Sequence, residues 1–137
     1  MDAELIKARI LNPTELEGSV LFLGENFSAY GTIDPVTGQI IDGPAMGQNL
    51  RGRILICGSE AGSTVAPWIF LSLRESANLP IALIVRTNVV VLLPACVLLH
   101  LPTYDQISEK DYAFLRNASR LRLTHEGIRI IDGFTQN

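Results

Sequence analysis

The hydroxyl side chains best suited to take part in a reaction lie at a glycine-containing junction near the middle of the chain. The stretch CGSEAGSTVAPWIF, residues 57–70, follows an apolar run typical of a strand and leads into a pattern typical of a helix. Backbone N–H groups at a helix start, together with the helix dipole, favour negatively charged groups. Ser63 follows Gly62 at this point, and the same N–H groups would stabilise its ionised hydroxyl as a base. These residue types therefore allow a serine that removes a proton without a nearby histidine.

The same residues also suit an ordinary helix start. Ser63 or Thr64 would then cap the helix by accepting a hydrogen bond from a backbone N–H group, which is the commoner role of serine at such a position. The match to a phosphate-binding loop is poor, because no lysine follows the glycines. Spacing alone leaves the capping role and the catalytic role both open.

Polar groups on a second loop form another candidate site. The stretch FSAYGTIDPVTG, residues 27–38, carries Ser28 and Asp34 on a glycine-bearing loop, and such loops often line sites. The alternative is a well-made turn in which Asp34 bonds its own backbone. Arg51 and Arg53, which flank a glycine, could bind a substrate carboxylate or phosphate, although arginines in this setting are more often solvated. On sequence alone, the turn and the solvated arginines are the simpler interpretation.

Histidines and cysteines show none of the spacings of a metal site. His100 lies in an apolar run and His125 in a predicted turn, while Cys57 and Cys96 stand alone and are predicted to be free thiols. The net charge of -3 and the absence of a basic run argue against a nucleic-acid partner. The first residues lack the apolar core of a signal peptide. The most hydrophobic run, residues 88–102, is too short to span a bilayer. We expect a cytoplasmic protein with no membrane partner.

Strand and helix patterns alternate through the middle of the chain. The strongest strand predictions cover residues 18–24, 53–58 and 81–85. A helix is predicted over residues 64–77, with Pro67 tolerated in its first turn. A buried stripe on this helix is predicted from the helical spacing of four apolar residues, namely Val65, Trp68, Ile69 and Leu73. A strand–helix–strand unit of this kind indicates a parallel pair of strands joined by a crossover helix.

The remaining segments are shorter or more ambiguous. Residues 4–10 and 101–105 suit weak or short strands, and Ser108 is predicted to cap a helix over residues 109–118. RLRLTHEGIRIID, residues 120–132, alternates on both sides of a turn and predicts a hairpin. The run VVVLLPACVLL, residues 89–99, has valines that favour a strand and a spacing that favours a helix, so the pattern alone decides neither.

The segments, in their order along the chain, resemble the swivel domain of the aconitase X family. The resemblance is carried by GSVLFLG, YGTIDPVTGQIID, GQNLRGRILI and GSTV, and then by LPIALIVRTN and LRLTHEGIRII. It runs over residues 18–131, and we expect residues 1–137 to form one domain. The resemblance implies an α/β fold of the swivelling β/β/α type, with a mixed sheet, crossover helices and a C-terminal hairpin. It also favours a helix for residues 89–99.

The resemblance further implies a function. Members of the family are dehydratases (hydro-lyases) of small hydroxy acids, of the cis-3-hydroxy-L-proline or mevalonate 5-phosphate type. This chain would be the small subunit, active only with a large subunit that holds an iron or iron–sulfur centre on its own cysteines, and this chain itself would hold no metal. Mapped by motif, Ser63 is the proton-abstracting base, and the expected substrate-binding residues are Thr64, Gly62, Ser28 and Asp34.

One departure from the family pattern keeps a rival interpretation open. Family members usually carry Gly-Arg-Gly-Ser, whereas this chain has EAGS, so Glu60 or Ala61 replaces the arginine. This replacement supports the alternative of a non-catalytic, swivel-like interaction module in which Ser63 is only a helix cap. A stand-alone domain that binds a small anion is a further, more distant alternative.

Overall fold

The computed structural model describes residues 5–62 and 65–134, with only the backbone described for the last two of these. The strands and helices of the described residues are β1 (Arg9–Leu11), β2 (Leu16–Phe22), β3 (Asn26–Ser28), α1 (Ala29–Thr32), β4 (Ile54–Cys57), β5 (Ser59–Ala61), α2 (Ala66–Glu75), β6 (Ala82–Val85), α3 (Leu93–Leu99), β7 (Thr103–Asp105), α4 (Glu109–Leu115), β8 (Ala118–Leu123) and β9 (Ile128–Phe134).

A mixed sheet of seven strands forms the body of the protein, in the order β1-β7-β6-β4-β2-β8-β9. Its centre is parallel, since β2, β4, β6 and β7 run the same way, and the outer strands β1, β8 and β9 are antiparallel to their neighbours. All four residues of β4 and all four of β6 are buried, as expected for parallel strands covered on both faces. The predicted parallel pair with its crossover helix and the predicted C-terminal hairpin are both confirmed.

Alternation along the central strands divides the core into two parts. Leu55 and Cys57 of β4 point to the side covered by α2 and α3, and Ile54 and Ile56 point to the side covered by α4 and the terminal hairpin. A small second sheet, in which β3 pairs with β5, lies just beyond the ends of β2 and β4. The fold is therefore a central sheet with helices on both faces and a short two-stranded extension at one edge.

Helix α2 forms where it was predicted, but with a different buried face. Pro67 lies in its first turn, where the missing N–H group costs little. Its buried residues are Ala66, Ile69, Phe70 and Leu73. These follow the i, i+3, i+4, i+7 spacing of one helical stripe. The prediction that Trp68 and Val65 belong to the buried stripe is wrong: Trp68 is 65% exposed and Val65 is 43% exposed, because both lie to the side of that stripe.

The ambiguous run of residues 89–99 forms helix α3 from Leu93 onward, after a turn at residues 91–92, as the family resemblance favoured. Ser108 caps α4 as predicted, since its hydroxyl accepts a hydrogen bond from the Asp111 N–H group at 3.1 Å. Helix α4 ends at Leu115, three residues before the predicted end, because Ala118 already belongs to strand β8. Among the described residues, no helix has the length and apolar character needed to cross a membrane.

Candidate functional site

The carboxyl edge of the parallel strands holds Gly62, the described residue that precedes Ser63. Strands β2 and β4 end at this edge, and the segments that leave them pair with each other as β3 and β5. In this pairing Ser28 lies opposite Ala61, so Ser28 comes next to Gly62. A Cβ atom placed on Gly62 would lie 3.1 Å from the Ser28 hydroxyl oxygen. The structure thus brings together two predicted site residues that are separated by more than thirty positions along the chain.

Glycine is required at position 62 by the backbone. Its φ angle is +131°, a conformation that residues with a side chain rarely adopt. The neighbouring Ser28 hydroxyl donates a hydrogen bond to the Tyr30 carbonyl oxygen at 3.1 Å, so its position is fixed by its own loop. Helix α1 is itself distorted, since Gly31 has a φ angle of +96°. The chain therefore turns sharply on both sides of the Ser28–Gly62 contact.

Ser63 and Thr64, the predicted base and one of the predicted substrate-binding residues, lie outside the described residues. The residues on either side of them are described, and these are Gly62 and the start of α2 at Ala66. Pro67 has no N–H group and the Trp68 N–H group donates to the Val65 carbonyl oxygen at 3.0 Å. Pro67 and Trp68 therefore offer no backbone N–H group to an anion at this end of α2.

Glu60 has a definite role that its sequence context did not reveal. One carboxylate oxygen, Oε1, accepts hydrogen bonds from three consecutive N–H groups, those of Val90 at 2.5 Å, Val91 at 2.6 Å and Leu92 at 3.4 Å. The other oxygen, Oε2, is buried and has no hydrogen-bond partner among the described residues. These three N–H groups lie immediately before α3, whose N-cap residue Leu92 offers no side-chain cap, so Glu60 holds the segment that leads into the helix.

Glu60, one of the two residues that stand where the family has Gly-Arg, thus carries a carboxylate that joins two elements. Through its hydrogen bonds, Glu60 connects the segment before Gly62 to the residues that precede α3. The run VVVL, residues 89–92, contains no Ser, Thr, Asp or Asn that could cap the following helix. This missing cap is the sequence signal from which a distant acceptor could have been anticipated.

A second carboxylate, Glu25, organises a polar cluster at the same edge. Its Oε2 accepts hydrogen bonds from the Tyr112 hydroxyl at 3.1 Å and from Arg116 Nη1 at 2.5 Å. Arg86 lies over the Tyr112 ring at 5.9 Å from its centroid. Burial, together with the charge of Glu25, raises the pKa of Tyr112 well above its usual value. Sequence analysis missed this cluster because its members come from separate elements, and no local motif links them.

Asp34, the remaining predicted substrate-binding residue, is held in a turn at the other end of α2. Its carboxylate accepts N–H hydrogen bonds from Val36 at 2.9 Å and Thr37 at 3.2 Å, and these bonds lower its pKa. The turn contacts the residues after α2, since the Asn78 side chain donates to the Val36 carbonyl oxygen at 2.8 Å. A ten-residue helix is about 15 Å long, so the structure does not bring Asp34 together with Gly62.

The other polar residues considered from sequence have local roles. Arg53 donates to the Val20 carbonyl oxygen and to Gln48 Oε1, and burial lowers its pKa, so its guanidinium serves the fold. His125 Nδ1 lies 2.6 Å from Glu15 Oε2 in the exposed hairpin turn. His100 ends α3 in the left-handed conformation, with a φ angle of 52°.

Metal-binding side chains do not converge within the described part of the chain. No group of three or more His, Cys, Asp or Glu residues there could hold a metal ion. Cys57 and Cys96 are free thiols, as predicted, and burial raises the pKa of both. The described residues therefore do not fit an iron or iron–sulfur centre held by this chain.

A mixed sheet with a parallel centre, helices on both faces and a glycine-bearing turn before a helix at its carboxyl edge defines an α/β domain of the swivel type. Comparison with known proteins makes this class specific. The family described as "Aconitase X swivel domain" matches residues 5–131. The chain therefore belongs to the aconitase X swivel-domain family.

Relatives and solved structures agree with this assignment. The chain is 27% identical to the phosphomevalonate dehydratase small subunit of Aeropyrum pernix over 93% of each chain. It is 30% identical to the protein of the same description from Methanopyrus kandleri, over 70% of this chain and 72% of the relative.

Two solved structures share the fold. Crystalline aconitase X from Thermococcus kodakaraensis, in its holo-form, matches 94% of this chain and 99% of its own with a TM-score of 0.81 at 22% identity. The solution NMR structure of a UPF0107 protein has the same TM-score of 0.81 at 26% identity, and it covers 92% of this chain and 98% of its own. The family and fold class that the sequence resemblance predicted are thereby confirmed.

Proposed function

We propose that this chain is the small subunit of a heteromeric dehydratase, that its substrate is mevalonate 5-phosphate or a closely similar hydroxy acid, and that Ser63 is the base. The relatives described as phosphomevalonate dehydratase small subunits support the reaction class and the substrate. The observation that carries the site is the turn at Gly62, which lies at the carboxyl edge of the parallel strands and leads into α2. Ligands of open α/β sheets bind at this edge.

The reaction needs a base next to a carboxylate-bearing carbon. Ser63 would take the proton from the carbon alpha to the substrate carboxylate, and the C–H electron pair would become the new double bond. The C–O bond to the hydroxyl on the neighbouring carbon breaks, and the departing hydroxide takes a proton from solvent and leaves as water. Ser63 then returns the proton it took to solvent, so that the reaction as a whole releases one water molecule. A serine oxygen can act in this way only if its ionised form is stabilised, and the positive end of α2, which begins three residues after Ser63, would supply such stabilisation.

Neighbouring residues of this chain support the proposed base. Ser28 is held within 3.1 Å of where a side chain at Gly62 would begin, so its hydroxyl is within reach of a group bound at the turn. We assign Ser28, Gly62 and Thr64 to substrate binding. Asp34 stays outside this proposal because its turn lies at the other end of α2.

The iron or iron–sulfur centre of the family is assigned to the large subunit. The described residues of this chain do not fit such a group. The word "small" in the relatives' descriptions implies a larger partner. The proposal therefore requires a complex, in which this chain contributes the base and the partner contributes the metal.

Co-expression with the large subunit encoded by the same genome tests the proposal. The purified complex should dehydrate mevalonate 5-phosphate, with cis-3-hydroxy-L-proline as the second substrate to be assayed. Ser63→Ala should lower kcat by about 10²–10⁴-fold, the usual contribution of a positioned general base. Ser72→Ala, an exposed serine on α2, is the matched control and should retain the wild-type rate.

Two results would contradict the assignment. Unchanged turnover in the Ser63→Ala complex would show that Ser63 is not the base, and it would favour the alternative of a capped, non-catalytic module. Turnover of cis-3-hydroxy-L-proline alone would keep the reaction class and replace the proposed substrate.

A further inference from the structure

An uncharged, apolar face runs across helices α2 and α3. Half of the twelve exposed large hydrophobic residues of the described chain lie on these helices or within three residues of their starts, and they are Val65, Trp68, Val90, Leu93, Val97 and Leu98. Residues 61–73 and 87–104 contain no Asp, Glu, Lys or Arg. Monomeric proteins rarely leave a contiguous apolar patch of this kind uncovered, and such patches mark interaction sites.

A groove between the two helices gives this face a definite shape. It has a volume of about 430 Å³ and its walls include Trp68, Leu71, Pro94 and Leu98. Gly62, the residue that precedes the proposed base, also lines the groove. The apolar face and the proposed catalytic turn are therefore continuous with each other.

The chemistry of the groove selects the kind of occupant. A phosphorylated hydroxy acid carries two anionic groups, whereas none of the described residues that line the groove carries a positive charge, and Trp68 is the only one of them with a polar side-chain atom. A membrane-binding face carries Lys and Arg around its apolar residues, whereas both charge-free segments lack them. An apolar face with an exposed tryptophan and few charges is typical of the centre of a protein–protein interface.

From these observations we infer that the face formed by α2 and α3, which includes the exposed Trp68, is the surface that binds the large subunit. This inference rests on the proposed function in one respect, namely that the large subunit must approach Gly62 to complete the catalytic site. A partner that covers Gly62 also covers the adjoining groove. A second copy of this chain seated in the groove would instead block access to the catalytic turn.

Binding of the separately purified large subunit, measured by isothermal titration calorimetry, tests the inference without any need for turnover. Trp68→Glu and Leu98→Glu should each raise the Kd by at least about 30-fold, as expected for residues at an interface centre. Met46→Glu is the matched control: Met46 is 66% exposed and Trp68 is 65% exposed, but Met46 lies outside the face. This control should bind with the wild-type Kd.

Exposed positions tolerate substitution, so the variants should keep the wild-type thermal midpoint. Trp68→Ala replaces Trp68→Glu if the glutamate variant fails to fold. Wild-type affinity in both Trp68 and Leu98 variants would overturn the inference. The inference would also be overturned if sedimentation showed that the wild-type chain is a homodimer and that Trp68→Glu converts it to a monomer.

The outcome for the surface and the outcome for the proposed function are separable. A wild-type complex that forms, is weakened by Trp68→Glu and yet shows no dehydratase activity would support the surface and refute the function. A wild-type chain that does not bind the large subunit at all would refute both.

Discussion

Replacing Glu60 with alanine tests whether one carboxylate joins the segment before Gly62 to the start of helix α3. The change removes the acceptor of three N–H groups, those of Val90, Val91 and Leu92. A buried donor left without a partner costs about 1–3 kcal/mol. The Val90 bond lies at the surface, so its N–H group can turn to water, whereas the Val91 and Leu92 bonds are partly buried.

The loss of the buried, unpaired oxygen Oε2 offsets part of this cost. We therefore expect Glu60→Ala to lower the free energy of unfolding by about 2 kcal/mol. Glu60→Gln keeps a neutral acceptor of similar shape, and hydrogen bonds to a neutral group are weaker than those to a charged one. Its expected cost is about 1 kcal/mol.

Circular dichroism gives the measurement, by thermal and urea unfolding of the isolated chain. For a chain of this size about 2 kcal/mol corresponds to a fall in Tm of about 6–10 °C. Glu75→Ala is the control, because the Glu75 side chain is 80% exposed near the end of α2. Its effect should stay within about 0.5 kcal/mol.

Backbone amide NMR shifts separate a local effect from a global one. In Glu60→Gln, the shifts of residues 90–92 should move while those of α4 stay unchanged, because only the former donate to this side chain. A cost below about 0.5 kcal/mol in Glu60→Ala, equal to that of the control, would refute the proposed joining role.

Two further predictions concern the turn and the sheet. In urea unfolding, Gly62→Ala should be about 1 kcal/mol more destabilising than Gly47→Ala. Both glycines have a positive φ angle, but only a Cβ atom at Gly62 would crowd the Ser28 hydroxyl oxygen, at 3.1 Å. Equal costs for the two variants would show that this contact is unimportant. Burial raises the pKa of Tyr104 to about 12 from its ordinary value of 10.0, and its hydroxyl donates to the Thr124 carbonyl oxygen at 2.5 Å. As the pH rises, the unfolded chain therefore loses the Tyr104 hydroxyl proton before the folded chain does. The stabilisation by the protonated hydroxyl is fully present below pH 10 and is lost as the pH rises toward 12. The free energy of unfolding should therefore fall less between pH 9 and 11 in Tyr104→Phe than in wild type. Identical slopes in the two proteins would contradict the second prediction.

Local patterns in the sequence determined most of the secondary structure. The buried runs ILIC and ALIV became the central parallel strands, because continuous apolar segments suit strands covered on both faces. Pro67 and Ser108 marked the first turns of α2 and α4, since the requirements of a helix start are met by residues close in sequence. The resemblance to the aconitase X swivel domain rested on such local motifs in their order, and the family assignment confirmed it.

The buried face of α2 was only partly determined by its sequence. Apolar residues surround most of this helix, so the pattern admitted more than one stripe. Packing against the sheet selected Ala66, Ile69, Phe70 and Leu73, and it left Trp68 on the surface. That choice created the apolar face from which the large-subunit interface is inferred.

Contacts between distant residues were decided by the tertiary structure alone. Ser28 meets Gly62 because β3 pairs with β5 beyond the ends of β2 and β4, and Glu60 reaches Val91 because β5 ends beside the start of α3. These partners are separated by about thirty positions, and nothing in the residues between them encodes the separation in space. A hydrogen-bonding side chain reaches only a few ångströms, so its partner is set by the order of strands in the sheet. The sequence by itself thus singled out the turn at Gly62 as a candidate site, while the strand order determined which side chains surround it.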